Sequence, residues 1–111
     1  MDAARIIVVG SVNSDVTVKV PELPRPGETV VGGTLEISDG GKGANAAVAA
    51  ARLGVRTHLV ALVGADERGR AARAALVEAG VDDAYVGTVE DATGLAAVLV
   101  DARGENLIAV A

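Results

Sequence analysis

Ser38–Gly54, SDGGKGANAAVAAARLG, puts three glycines, a lysine and an asparagine into Gly40–Asn45 and then runs straight into an alanine-rich segment. The alanines and the lack of a β-branched run predict a helix from about Gly43 to Leu53, with Gly54 as its stop. Glycines at a helix start allow another group to approach the backbone closely. The unpaired N–H groups there point outward, and the helix dipole favours electron-rich oxygen. Lys42 adds a cation, and Asn45 adds a donor and an acceptor. The set suits a small polyhydroxylated or anionic molecule. A tight corner into a helix would use the glycines too, but it does not call for Lys42 and Asn45 at this spacing.

Outward from this helix, two kinds of strand appear. Arg5–Val9 and Thr57–Val63 are continuous apolar runs ending at Gly10 and Gly64, the pattern of parallel strands buried on both faces. Asp66 is placed to cap a second helix, Glu67–Ala79, stopped by Gly80. Asp15–Val20 alternates Val16, Val18 and Val20 with Thr17 and Lys19, so one face is wet. Thr29–Val31 and Thr34–Ser38 flank Gly32-Gly33, which reads as a hairpin turn. Pro21–Glu28 holds all three prolines and is a loop. Tyr85–Val86 reads as a short strand, and Gly94–Val100 and Asn106–Val110 as two more. The result is an α/β fold: a doubly wound parallel layer carrying a small antiparallel sheet as a lid, at about residues 15–38 and 94–110.

The chain's 111 residues suffice for one small domain with a core, and half of them are hydrophobic. Tyr85 is the sole aromatic residue, so that core must be Val, Leu, Ile and Ala. A net charge of −5 argues against a nucleic-acid partner. The absence of cysteine removes disulfides, thiolate metal sites and a cysteine nucleophile. Met1-Asp2 leads into a short apolar run without a cationic region before it, unlike a signal peptide. No apolar stretch approaches the roughly 20 residues that span a bilayer, so a cytoplasmic protein with no membrane partner is expected.

Known phosphate loops do not account for the glycine stretch. A P-loop would need glycine at Glu36 and Ser or Thr at Gly43. Gly41, Gly43 and Ala46 fit G-x-G-x-x-A, with Asp66 downstream near the distance of a ribose-binding acid. That dinucleotide motif follows the first strand at once, however, whereas here a polar hairpin intervenes. A second polar group, GSVNSD at Gly10–Asp15, lies past the carboxyl end of the first strand, where α/β sheets bind ligands. In an extended segment Asn13 and Asp15 share a side, so an amide and a carboxylate could hold neighbouring hydroxyls; an Asx-turn is the plainer alternative.

VVGSVNSDVTVKVPELPRPGETV, GGKGANAAVAAARLG, LVGADERGRAARAALVEAGVD and TGLAAVLVDARGENLIAVA together resemble the ribokinase/PfkB carbohydrate kinase family, over nearly all of residues 5–111. Gly40, Gly41, Gly43, Asn45, Ala47, Gly54 and Gly64 fit the spacing of the family's N-terminal signature. N-x-D, P-G-E, G-G-K-G-A-N and G-E-N point to the ribose branch more than to the fructose or adenosine branches. The resemblance implies transfer of the γ-phosphoryl group of ATP to a sugar hydroxymethyl, D-ribose giving D-ribose 5-phosphate. It implies substrate binding by Asn13, Ser14 and Asp15, by Gly41, Lys42, Gly43, Ala44 and Asn45, and by Ala96 and Val110 as apolar lid positions over the sugar. It also implies a homodimer formed through the lid. Asp39 departs from the pattern, since the family carries an apolar or small residue there; its charge would alter lid closure or cap the first helix.

In this family the catalytic Asp, in a G-A-G-D motif, lies near the end of a much longer chain. The anion hole, most of the ATP site with its Mg²⁺, and a monovalent-cation (K⁺) site lie in that same part. Gly64–Asp66 reads G-A-D, but it opens a helix after a strand and is not that motif. The expectation is therefore the N-terminal, sugar-side part of such a kinase, with no catalytic residue and no metal ligand in this chain and no activity by itself. The alternatives are a non-catalytic binding or pairing module and a nucleoside or other sugar kinase of the same superfamily. His58, without a visible acid partner, reads as structural. Arg68, Arg70 and Arg73 read as a solvated face, and Glu90–Thr93 lacks metal-ligand company.

Overall fold

The computed structural model describes residues 4–111. The apolar run Arg5–Val9 is β1, and it pairs in parallel with β4, Arg56–Gly64, in the register Ile7↔His58 and Val9↔Val60. Between them lies α1, Lys42–Arg52, ended by Gly54 with φ 87°. After β4 comes α2, Glu67–Glu78, then β5, Val81–Asp82, and β6, Val86–Val89. Both short strands pair in parallel with β4. β5 takes Thr57 and His58, and β6 takes Ala61–Gly64, so they follow one another along the same strand. Asp83–Tyr85 turns between them, and Arg73 of α2 holds the turn. Its guanidinium donates to the Asp83 carboxylate at 3.2 Å, the Val86 carbonyl at 2.7 Å and Thr88 Oγ1 at 3.0 Å. Arg73 thus leaves the solvated face expected for it, while Arg68 and Arg70 remain exposed.

The two helices bury mostly small residues at helical spacing: Gly43, Ala44 and Ala47 on α1, and Gly69 and Ala72, with the larger Leu76, on α2. Small side chains let both helices lie close on β4, and together they enclose Leu59, Ala61 and Val63. Leu59 is fully buried. The opposite face of the same strands carries Ile7, Val9, Val60 and Leu62, all exposed. Here the molecule differs from the expectation of strands buried on both faces. The sheet order is β1-β4-β5, so both crossovers step in one direction. Right-handed connections stepping one way lay their helices on one face.

A second sheet has the order β3-β2-β7-β8. β2 is Asn13–Lys19, β3 is Thr34–Gly40, β7 is Gly94–Val100 and β8 is Asn106–Val110. The outer pairs β2/β3 and β7/β8 are antiparallel, and a parallel β2/β7 pair joins them. The hairpin expected at Gly32-Gly33 does not form. Thr29–Val31 is irregular, and the whole of β3 pairs with β2 instead. A seven-residue ladder on β2 satisfies far more backbone than a hairpin with a three-residue strand would. Between β2 and β3 the chain reverses at Arg25-Pro26-Gly27-Glu28. The Glu28 N–H donates to the Arg25 carbonyl at 2.9 Å, and Gly27 has φ 83°. Proline then glycine at the centre suits a type II turn.

Candidate functional site: the corner between the two sheets

Register places Asn13 between Gly40 and Gly94, and Asp15 between Ser38 and Ala96, which in turn pairs with Val110. Directly paired residues share a sheet face. Ser38, Asp15, Ala96 and Val110 therefore form one row across all four strands, and Asn13 lies in the row beside it. The flanking glycines make room. A Cβ on Gly94 would stand 2.5 Å from Asn13 Oδ1, and one on Gly40 would overlap the Asp15 carboxylate. Asn13 and Asp15 are half-buried, and Ala96 is buried. An amide, a carboxylate and two apolar side chains thus share one sheet face, which can accept hydroxyl protons and lie against a small ring. Ser38 is a further polar member of the row. Its place there is not legible in the sequence, because cross-strand neighbours are set by register, not by spacing.

Ser14 alternates to the other face and is buried opposite Asp39 and Leu95, apart from Asn13 and Asp15. Ala44 is a core residue whose N–H donates to the Ser11 carbonyl at 3.0 Å. The glycines of the segment act in a different way from the one their sequence suggests. Gly41 has φ 98°, and a Cβ on it would meet the Ser11 carbonyl oxygen at 2.5 Å. A Cβ on Gly43 would stand 2.6 Å from the Gly10 carbonyl carbon. It is the chain's own Gly10–Val12 that approaches α1 so closely, and the space is filled by backbone. Gly41 is also the N-cap, with no side-chain cap bond, so Asp39 does not cap the helix; it is an exposed residue of β3. The N–H groups of Lys42 and Gly43 have no partner among the described residues, and the Lys42 and Asn45 side chains are exposed. Asn45 also borders a groove of ≈ 880 Å³ between α1 and α2, to which Asn13, Asp15, Ala96 and Val110 do not contribute.

Two other residues take on partners that spacing did not reveal. His58 Nε2 lies 3.1 Å from the Asp82 carboxylate, its register partner in β5, and its ring rests 5.4 Å from Tyr85. Asp66 caps α2 by accepting the Gly69 N–H at 2.8 Å, as expected, and also binds Thr93. The Thr93 hydroxyl first, then the N–H groups of Thr93 and Gly69, hold the Asp66 carboxyl down at about 2. Burial pushes the Asp101 carboxyl up, but the N–H groups of Arg103 and Glu105 and the Arg103 charge outweigh it and lower it overall. No helix among the described residues is long and apolar enough to cross a membrane.

The sequence pattern of the pfkB family of carbohydrate kinases matches residues 3–111. Ribokinase of Haemophilus influenzae is 40% identical over 107 residues, which cover 96% of this chain and 35% of that protein. The crystal structure of ribokinase from Cryptococcus neoformans in complex with ADP superimposes with a TM-score of 0.88 at 38% identity, covering 98% of this chain and 35% of that one. The Arabidopsis thaliana ribokinase complexed with ribose and ATP gives a TM-score of 0.86 at 37% identity, covering 99% and 36%. The chain spans about a third of the length of these relatives. Its parallel layer with two helices on one face and its separate four-stranded sheet are a partial ribokinase fold. With the family pattern running from residue 3 to residue 111 and that fold beneath it, the chain belongs to the pfkB family of carbohydrate kinases.

Proposed function

We propose that this chain is the sugar-binding part of a cytoplasmic, ATP-dependent ribokinase that converts D-ribose to D-ribose 5-phosphate. The observation that carries the reading is the corner where Asn13 and Asp15, half-buried and side by side, meet Gly40 and Ala96. Asp15 accepts hydroxyl protons in charge-assisted bonds, Asn13 donates and accepts, and Ala96 and Val110 cover the ring. Lys42, Asn45 and the first N–H groups of α1, which follow Gly40 directly in sequence, are assigned to the sugar's remaining oxygens, because the helix dipole favours oxygen there. Ser14 and Ala44 support it from the far face and from the core rather than by touching sugar. The four strands β3-β2-β7-β8 act as the lid.

Phosphoryl transfer needs ATP, its metal and a base aligned with the sugar hydroxymethyl. Among the described residues no three His, Cys, Asp or Glu side chains gather to hold a metal ion. In this reading the Mg²⁺, the K⁺ and the catalytic base belong to the part of the relatives' length that this chain does not span. The lid's outer face supports pairing with a second copy. Leu35, Val18, Leu99 and Leu107 form one continuous apolar row across it, and Ile37, Val16, Ala97 and Ala109 form the next. Leu35, Ile37 and Leu107 are more than half exposed.

The test is a coupled assay of ADP release with D-ribose and ATP, run on the full-length protein and on residues 1–111 alone. Turnover by the full-length protein and none by 1–111 is the expected result. A full-length protein that ignores ribose but phosphorylates a nucleoside would move the reading to the nucleoside branch, and turnover by 1–111 would overturn the division of labour.

A further inference from the structure

The chain passes between the two sheets at three places: Gly10–Val12 from β1 to β2, Gly41 from β3 to α1, and Glu90–Thr93 from β6 to β7. At the first two, backbone packs on backbone, with the Ala44 N–H donating to the Ser11 carbonyl. The third is fastened by side chains. The Asp66 carboxylate accepts the Thr93 hydroxyl at 2.6 Å and the Thr93 N–H at 2.9 Å, one on each oxygen, while Oδ1 also accepts the Gly69 N–H. The Thr93 hydroxyl in turn accepts the Gly64 N–H at 2.9 Å. One carboxylate and one hydroxyl thus tie the end of β4, the first turn of α2 and the residue before β7. Thr93 is 3% exposed. The joint leaves no slack: a Cβ on Gly64 would overlap the Asp91 carbonyl oxygen, and one on Gly69 would overlap the Gly64 carbonyl oxygen.

We propose that Asp66 and Thr93 are a positioning pair that sets the pitch of the second sheet against the parallel sheet, and so holds that sheet's Asn13 and Ala96 at the distance from the parallel layer that the sugar requires. The residue after Thr93 is Gly94, against which the Asn13 amide rests, and Ala96 follows on the same strand. A rotation about Thr93 would carry β7 and its neighbours with it. The pair acts through β7 and touches no reacting atom. Its link to sugar binding rests on the sugar-kinase reading above.

Three variants of the full-length protein test it. Thr93→Val keeps the branched shape and deletes the hydroxyl. Thr93→Ser restores the hydroxyl. Asp66→Asn keeps an oxygen for the Gly69 cap but loses the anionic acceptor for the Thr93 N–H. Thr93→Val and Asp66→Asn should speed amide exchange in β7 and β8 by about tenfold while β1 and β4 stay within about twofold. They should raise KM for ribose by about tenfold and leave KM for ATP within about twofold, with Thr93→Ser close to the unaltered protein. Equal loosening of both sheets, no change in either, or no rescue by serine overturns the pair as a positioning device. If the unaltered protein phosphorylates no sugar, the functional reading fails by itself, and the exchange pattern alone still decides the joint. A Thr93→Val protein that does not fold leaves the decision to Asp66→Asn, whose cap bond survives.

Discussion

At the scale of single residues, Asp15 carries the sharpest expectation. Its carboxylate lies against Gly40 in the corner proposed to bind sugar, and a charge-assisted bond there is worth roughly 1.5–3 kcal/mol. Asp15→Ala in the full-length protein should lower kcat/KM for ribose by about 10- to 150-fold and leave KM for ATP nearly unchanged. Steady-state kinetics with each substrate varied in turn checks this, and an unchanged value for ribose removes Asp15 from the site. Asp66 sets a pH dependence. Its folded carboxyl sits at about 2, below the unfolded value near 3.9, so it binds its proton less readily when folded. The stability it contributes is fully present above the unfolded value and is lost as pH falls through about 2. Asp101 is lowered too and adds a slope of the same sign. Urea midpoints between about pH 2 and 6 should therefore fall less steeply on acidification in Asp66→Asn than in the unaltered protein. Parallel curves would detach Asp66 from the acid limb.

Among the elements, the junction of β3 with α1 shows how a motif can serve fold and site together. Gly41→Val forces a β-branched residue to φ 98° and drives it into the Ser11 carbonyl. The loss should appear as stability, about 1–3 kcal/mol or more, with sugar binding falling because Gly10–Val12 is displaced. Chemical denaturation alongside calorimetric titration with ribose separates the causes. An unshifted midpoint with binding abolished would return the glycine to direct contact with ligand. The same junction explains the alanines of α1: Ala44 and Ala47 let the helix lie close on β1 and β4, where larger side chains would hold it off.

At the scale of the whole molecule, two apolar surfaces stand open among the described residues. One is the face of β1 and β4 with Ile7, Val9, Val60 and Leu62; the other is the outer face of the second sheet with Leu35, Ile37 and Leu107. Among the described residues β1 also pairs on one side only, leaving a row of N–H and C=O groups without a strand partner. Residues 1–111 expressed alone should therefore self-associate or aggregate. Size-exclusion chromatography with light scattering is the check. A compact monomer with cooperative unfolding would show that both faces are tolerated in water.

Much of the architecture was legible from the residues themselves. The apolar runs 5–9 and 57–63, the two glycine-stopped helices, the Asp66 cap and the strands 94–100 and 106–110 rest on local chemistry: side-chain periodicity, capping oxygens and glycine stops act over a few residues, and the structure places them within a residue or two of the expected bounds. The pairing of Asn13 with Asp15 on one face was legible for the same reason, since alternation is local. Other features depend on contacts distant in sequence. β3 lies on β2 instead of closing a hairpin at Gly32-Gly33, because the ladder with β2 is longer than any local alternative. His58 meets Asp82, Arg73 ties down Asp83–Thr88, and Thr93 meets Asp66 through register and helix placement that no short window contains. The glycines of Gly40–Gly43 could be recognised as demanding close approach. What approaches Gly41 and Gly43, the backbone of Gly10–Val12, was decided by the tertiary fold, because only there does a segment thirty residues away come within van der Waals reach.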